Sequence, residues 1–97
     1  MRILQLTMTG SAQELAPVLG GLNQGIGIYC SVLQMQNNGT HSMRVGDNTV
    51  TASRGQLIGP SGGLYTAPCP PKGTRLSDWW VIGTSGDILD ILYETAQ

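Results

Sequence analysis

Charged residues are scarce in this chain. Asp, Glu, Lys and Arg make up 11% of its 97 residues, whereas a soluble domain usually has about 25%. The five basic residues are scattered and the formal net charge is −1, so no basic stripe is present to bind nucleic acid. A surface poor in long charged side chains loses little side-chain entropy when another chain covers it. The composition therefore favours a protein that packs against other chains.

Long apolar runs are missing too. No stretch reaches the roughly 18 consecutive apolar residues of a membrane-spanning helix. Residues 1–7 also lack the apolar core of a secretion signal. We therefore expect synthesis in a cytoplasm and no membrane partner.

Residues that bind metals are few. The chain has two cysteines, Cys30 and Cys69, and one histidine, His41. This set is too small for a convincing zinc site, and we predict neither a metal nor a cofactor. In a reducing cytoplasm we expect two free thiols rather than a disulfide, with Cys30 in the core and Cys69 in a surface loop.

Strand-forming patterns dominate what is present. Glycine occurs 14 times, and the composition is typical of short strands joined by tight turns. Alternating apolar and polar residues predict strands at 2–9 and 28–36. Shorter strands are predicted at 43–45, 49–51, 56–58 and 64–66, and the residues Asn37–Thr40 have the composition of a hairpin turn.

The segment between the first two long strands has no strong pattern. Ser11–Glu14 has the spacing of a helix capping box, but Pro17 limits any helix there to one or two turns. Gly20–Gly27 is predicted to be a glycine-rich loop. Because a strand rather than a helix follows it, a phosphate-binding role is not expected.

The densest apolar sequence lies at residues 78–94, DWWVIGTSGDILDILYE. Two apolar arms flank Gly83–Gly86, which predicts a β-hairpin. In the second arm Ile91 and Asp90 must point to opposite faces. Asp90 could then be a buried acid, pair with an arginine, or lie on an oligomer surface.

No arrangement of residues predicts catalysis. Gly59–Gly63 has the letters of a nucleophile elbow, but a strand is predicted after it where an elbow requires a helix. The one histidine, His41, precedes Ser61, so the chain order Ser, Asp, His is impossible. We predict a plain turn here, no catalytic residue, and a protein that is not an enzyme.

A proline-rich stretch supplies most candidate contact residues. Residues 67–77 contain three prolines, which cannot donate to a β-ladder, so this stretch is either a protruding contact segment or a rigid connector. Trp79 and Trp80 point to opposite faces of a strand, so one is core and the other covers a second layer, an interface or a sugar. The predicted contact residues are Tyr65, Pro68, Pro70, Pro71, Arg75 and Trp79.

The pattern as a whole predicts an all-β fold. About eight short strands separated by turns indicate a small antiparallel sandwich or barrel of jelly-roll type, in a single domain spanning residues 1–97. A chain of this length buries only about 60–65% of its unfolded surface. Association into a homo-oligomer would add stability, and we expect it.

The order of elements resembles small structural proteins of tailed-bacteriophage virions. The likeness covers a strand ending at Gln36, an Arg44–Asp47 turn, a strand at Val50–Ser53, a Gly-rich turn before Leu64, and the closing Val81–Gly86 segment. The proline-rich residues 67–72 depart from that family.

The resemblance implies a non-enzymatic virion protein made in the bacterial host cytoplasm. Its partners would be the major capsid protein or other virion subunits. A capsid decoration (cement) protein bridges and stabilises capsid subunits, because many weak junctions sum to a large resistance against internal pressure. A tail, collar, baseplate or fibre-associated component is the alternative, and a carbohydrate-binding module that uses Trp79 or Trp80 with Tyr65 is a third.

Overall fold

The structure, a computed structural model, describes residues 2–15 and 29–95. Within these ranges the chain forms two antiparallel sheets and one short 3-10 helix. The all-β prediction is confirmed. No helix in these ranges combines the length and apolarity needed to cross a membrane. The glycine-rich loop predicted at Gly20–Gly27 lies outside the described residues.

Nine strands are seen in the described ranges, where about eight were predicted. The large sheet contains β1 (Arg2–Thr7), β3 (Tyr29–Asn37), β6 (Gly63–Thr66), β7 (Thr74–Arg75) and β9 (Ile88–Thr95). The small sheet contains β2 (Gln13–Glu14), β4 (Met43–Gly46), β5 (Gln56–Ile58) and β8 (Trp80–Ile82). The strand orders are β1-β9-β3-β6, with β7 beside β3, and β2-β8-β4-β5. The 3-10 helix Leu76–Asp78 connects β7 to β8.

One apolar core joins the two sheets. The large sheet contributes Leu33, Met35, Leu89 and Ile91, and the small sheet contributes Met43, Val45, Ile58 and Val81, all at most 1% exposed. Burying a side chain of this size stabilises the fold by about 1.5–3 kcal/mol. The sheets therefore pack face to face as a small β-sandwich, and the alternation predicted for the long strands is confirmed.

The hairpin predicted at residues 78–94 is wrong. β8 pairs with β2 and β4 in the small sheet, whereas β9 pairs with β1 and β3 in the large sheet. The turn between them carries the chain from one sheet to the other. Its Asp87 N–H donates to the Thr84 carbonyl at 3.0 Å, and its Gly86 N–H donates to the Met8 carbonyl at 3.0 Å. The turn is thus held by the end of β1.

Two further turns cross between the sheets at the same end. The turn after Asn37 leads from β3 to β4, so the hairpin predicted there is also wrong, and residues 59–62 lead from β5 to β6. The Ser61 N–H donates to the Gly39 carbonyl at 3.0 Å. The Asp87 carboxylate accepts the His41 N–H at 3.1 Å. We call this bonded group of turns, residues 38–42, 59–62 and 83–87, the crossing end.

Two short segments also differ from the sequence predictions. Residues 13–14 form β2, so the capping-box spacing of Ser11–Glu14 does not start even the one or two helical turns that Pro17 would allow. The strand predicted at 49–51 is wrong because Asp47 accepts the Thr49 N–H at 2.8 Å and closes a turn. Val50 is nevertheless buried, as expected. The jelly-roll connectivity and the single domain stay predictions.

Candidate interaction surface

The outer face of the large sheet is the side turned away from the small sheet. Cross-strand register places Ile3 opposite Leu92, and Leu92 opposite Gln34. The neighbouring row runs from Gln5 through Asp90 and Gln36 to Leu64. Directly opposite residues share a face, so these side chains form one continuous surface.

Aliphatic side chains flank this outer face. Ile3 on β1 is 73% exposed and Leu64 on β6 is 59% exposed. Val32 on β3 is 38% exposed. Each would gain hydrophobic free energy, in proportion to the apolar area removed from water, if a partner covered it.

A hydrogen-bonded carboxylate occupies the middle of the outer face. The Gln5 side-chain amide donates to Asp90 Oδ1 at 3.0 Å, and the Asn38 side-chain amide donates to Asp90 Oδ2 at 2.5 Å. The prediction that Asp90 and Ile91 point to opposite faces is confirmed, since Ile91 is fully buried in the core. Because each carboxylate oxygen already accepts a side-chain amide, covering Asp90 would leave neither oxygen without a hydrogen bond.

A depression of about 240 Å³ lies between the polar centre and the aliphatic flanks. Its lining includes Ile3, Gln34, Leu64, Asp90 and Leu92. Interfaces are commonly centred on a side chain that enters such a depression. The outer face could therefore receive one apolar side chain of a partner protein.

The structure brings together two of the predicted contact residues, Tyr65 and Trp79. Their ring centroids are 6.2 Å apart with the planes tilted by 57°. Both pack against the core cluster, and Tyr65 lies opposite buried Met35. The Trp79 indole N–H donates to Thr74 Oγ1 at 2.9 Å. These aromatic rings thus belong mainly to the interior, while Trp80 is half-buried on the outer side of the small sheet.

The other four predicted contact residues are exposed. Pro68, Pro70 and Pro71 lie in the loop between β6 and β7, beyond the outer face. The Arg75 guanidinium lies 5.0 Å from the centroid of the Tyr29 ring and donates to its hydroxyl. Because Arg75 and Tyr29 are register partners and the next residue of β3 is buried, both point to the outer side of the large sheet.

Sequence reasoning missed Ile3 and Leu64 as contact candidates. One signal was available, since alternation in β1 places Ile3 on the face opposite Leu4. Leu64 belongs to a strand of four residues, which is too short for its alternation to be read. The partners of Asp90 lie 85 and 52 residues away in the chain, beyond the reach of any local pattern.

The ionisable groups of the crossing end have structural partners. Partial burial acts to raise the pKa of Asp87, but hydrogen bonds from the His41 ring and from the backbone of His41 and Thr40 hold it below its usual value. Ser61 lies in an exposed turn with φ of 60°. Within residues 2–15 and 29–95, no three His, Cys, Asp or Glu side chains are placed to hold a metal ion.

The two cysteines are free thiols in the structure. Burial, with a smaller contribution from the neighbouring Cys69, raises the pKa of Cys30 to about 11. Cys69 is partly exposed and its thiol donates to the Ala67 carbonyl at 3.6 Å. Cys30 is therefore a core residue, as expected.

Comparison with known proteins gives no match. The chain matches no protein-family model, no curated protein and no solved structure.

Proposed function

We propose that this chain is a non-enzymatic structural protein of a tailed-bacteriophage virion, most specifically a capsid decoration protein that bridges major capsid subunits. One observation carries the proposal. A continuous outer face has aliphatic flanks at Ile3 and Leu64 and a carboxylate at Asp90 that accepts two side-chain amides. Such a surface suits burial against another protein.

The strand pairing supports the jelly-roll part of the proposal. A jelly roll folds a long hairpin of eight strands, so that the first strand pairs with the eighth, the second with the seventh, the third with the sixth and the fourth with the fifth. With the two-residue β7 set aside, the pairs here are β1 with β9, β2 with β8, β3 with β6 and β4 with β5. Viral capsid domains commonly use this fold, although a fold alone does not determine function.

The chemistry of the outer face supports a protein partner. Interface cores are poor in charge and rich in apolar groups. The outer face has one charged side chain at its centre, Asp90, and amides around it at Gln5, Gln34 and Gln36. Amides are neutral, so covering them does not carry the desolvation cost of a buried charge. Many copies bound weakly to a shell would stabilise it together.

Copy number in the virion tests the proposal. Purified particles of the phage that encodes this chain should contain many copies, and the chain should bind again to expanded shells that lack it. A few copies per particle would instead indicate the tail, collar, baseplate or fibre. Absence of the chain from the particle would overturn any virion role.

Paired substitutions test the surface itself. Leu64→Asp introduces a charge on the outer face, whereas Leu57→Asp introduces one on the small sheet, where Leu57 is similarly exposed at 52%. We expect Leu64→Asp to weaken shell binding and Leu57→Asp to leave it unchanged. Equal effects would show that the outer face is not the contact.

Glycan binding abolished by Trp80→Ala in a folded protein would favour a carbohydrate-binding module.

A further inference from the structure

β1 is an edge strand that carries little protection against pairing. It bonds to β9 on one side, and none of the other strands in the described ranges pairs with its second side. Its six residues include no proline, and its one charged residue is Arg2 at the end. Natural edge strands are usually blocked by prolines, bulges or central charges. The middle of β1 therefore remains able to accept another strand.

The direction of the backbone groups shows which of them are available. The Met8 N–H donates to the Asp87 carbonyl at 2.8 Å, in line with the pairing of β1 and β9. Hydrogen-bonding direction alternates along an antiparallel strand. The even-numbered residues of β1 therefore bond towards β9, and the odd-numbered ones direct their N–H and C=O groups away from it.

Two hydrogen bonds of the Gln13 side chain confirm this direction and satisfy backbone groups at one end of the open edge of β1. Its side-chain amide donates to the Thr7 carbonyl at 3.3 Å, and its side-chain oxygen accepts the Thr9 N–H at 3.1 Å. The open part of the edge is thus centred on Ile3 and Gln5. Within residues 2–15 and 29–95 no strand lies on that side of these two residues, so their two N–H groups and two carbonyls are available to a second chain.

We propose that β1 pairs with β1 of a second copy, antiparallel, about a two-fold axis at Leu4. In this register Ile3 lies opposite Gln5 of the second copy, and Gln5 opposite its Ile3. Such pairs exchange two backbone hydrogen bonds each, so four bonds form and every open group of the two residues is used. Other registers can also place the inner sides of the two large sheets on the same side. Those registers either leave some of these backbone groups unpaired or place them opposite Thr7, whose carbonyl already accepts the Gln13 amide.

The side chains fit this register. The two Leu4 side chains meet on the inner side, where Leu4 is only partly buried in one copy. Arg2 lies opposite Leu6 of the second copy, so the two Arg2 residues are displaced by four positions along the strands. That displacement is about 13 Å, beyond the roughly 10 Å over which exposed charges interact at moderate salt. The charges on β1 therefore do not oppose the pairing.

The size of the contact sets the expected affinity. One strand edge covers less than the roughly 800 Å² per partner of a standard interface. We expect a dimer that dissociates on dilution, with Kd in the micromolar to millimolar range.

The pairing would also join two outer faces into one surface. It goes beyond the proposed function, because it requires no virion partner and is measured on the purified chain.

Hydrogen exchange and sedimentation test the edge directly. As concentration rises from micromolar to millimolar, the mass should shift from monomer to dimer, and the Ile3 and Gln5 amides should become protected together. Ile3→Pro removes an open N–H without touching the β9 ladder and should weaken the dimer about tenfold or more. Ile3→Val keeps the N–H and is the control.

Cysteine cross-linking tests the register. Leu4→Cys should form a covalent dimer on mild oxidation, because residues facing each other at the axis have Cα atoms about 4.5 Å apart. Leu6→Cys is the matched control, since its two copies would lie about 13 Å apart. Both are made with Cys69→Ser. A monomer at every concentration, amides already protected in the dilute monomer, or equal cross-linking by the two variants would overturn the proposal.

Discussion

The side-chain amide of Asn37 donates to the carbonyl oxygen of Ile58 at 3.0 Å and so ties the large sheet to the small one. The same amide donates to the His41 carbonyl at 2.8 Å, and its oxygen accepts the Gly39 N–H at 2.8 Å. Asn37 is fully buried. One side chain therefore satisfies two backbone groups of the crossing end and one of β5.

Removing this amide should destabilise the fold. Asn37→Ala leaves the Ile58 carbonyl and other buried backbone groups without partners, and each such group costs about 1–3 kcal/mol. Urea unfolding should show a lower midpoint with an unchanged slope. Asn48→Ala, which alters an exposed asparagine in the turn after β4, is the control and should change stability by about 0.5 kcal/mol or less. Equal shifts for the two variants would contradict the role given to Asn37.

Two glycines at the connection between β5 and β6 should respond differently to alanine. A Cβ at Gly63 would lie 2.2 Å from the Gly59 carbonyl oxygen, which belongs to the backbone and cannot swing away. A Cβ at Gly59 would meet no atom within 4 Å. We expect Gly63→Ala to cost about 1–3 kcal/mol or more, and Gly59→Ala to be neutral or slightly stabilising. Thermal unfolding of both variants measures the difference, and similar melting temperatures would refute it.

The fold should lose stability in acid. The pKa of Asp87 lies below its usual value because the His41 and Thr40 hydrogen bonds outweigh partial burial, and that of Asp47 is lowered by the Thr49 hydroxyl and N–H. The unfolded chain titrates these groups near pH 3.9 and binds more protons than the native state just below that pH. The stabilisation is thus complete above about pH 5 and is lost as pH falls further.

Asp87→Asn measures the contribution of that residue. The variant should be less stable at neutral pH and should lose less stability than the wild type between pH 5 and pH 2, which are about the limits over which a lowered carboxyl pKa acts. Urea unfolding across this range gives both quantities. An unchanged acid dependence would show that Asp87 does not contribute to it.

The two thiols should differ in reactivity. Cys30 is fully buried and its pKa is raised to about 11, so it carries almost no thiolate in the native state at pH 8. Native labelling with a thiol reagent should modify Cys69 and spare Cys30, and unfolding should expose both. Cys69→Ser should abolish the native reaction. Rapid labelling of Cys30 in that variant would contradict its placement.

The same raised pKa predicts alkaline sensitivity. Between about pH 8.5 and the native value near 11, the unfolded thiol ionises while the native Cys30 thiol stays protonated. Stability is therefore complete below pH 8.5 on this account and falls as pH rises towards 11. Cys30→Ala, compared by urea unfolding at neutral and alkaline pH, should lose this part of the dependence. If the free energy of unfolding falls equally with pH in both proteins, Cys30 does not contribute to the alkaline sensitivity.

Local alternation predicted which residues face the core, because a strand between core and solvent shows the period of two directly. Leu33 and Gln34 in β3 are an example, and Ile91 and Asp90 in β9 are another. The sheet to which a strand belongs was not predictable in the same way. Gly83–Gly86 has the residues of a tight turn whether the next strand returns to the same sheet or enters the other one.

Hydrogen bonds between residues far apart in the chain determine the sheet to which each strand belongs. The Gly86 N–H bonds to Met8, and no pattern near Gly86 indicates this partner. The outer face was predictable at Asp90, whose direction follows from alternation, and not at its donor Gln5, which lies at the far end of the chain. The proline-rich loop was predicted as a contact segment because proline cannot donate to a β-ladder, whereas nothing near Leu64 in the sequence distinguishes it from a core leucine.

The pairing of β1 with β9 has a consequence for biosynthesis. β1 is the first of these strands to leave the ribosome, yet its bonded neighbour follows about eighty-five positions later. The nascent chain must keep β1 in solution without its native partner until β9 emerges, so the large sheet can assemble only after β9 has left the ribosome. Folding dominated by such distant pairings is slow, and a chaperone that shields β1 during this interval would raise the yield of native protein.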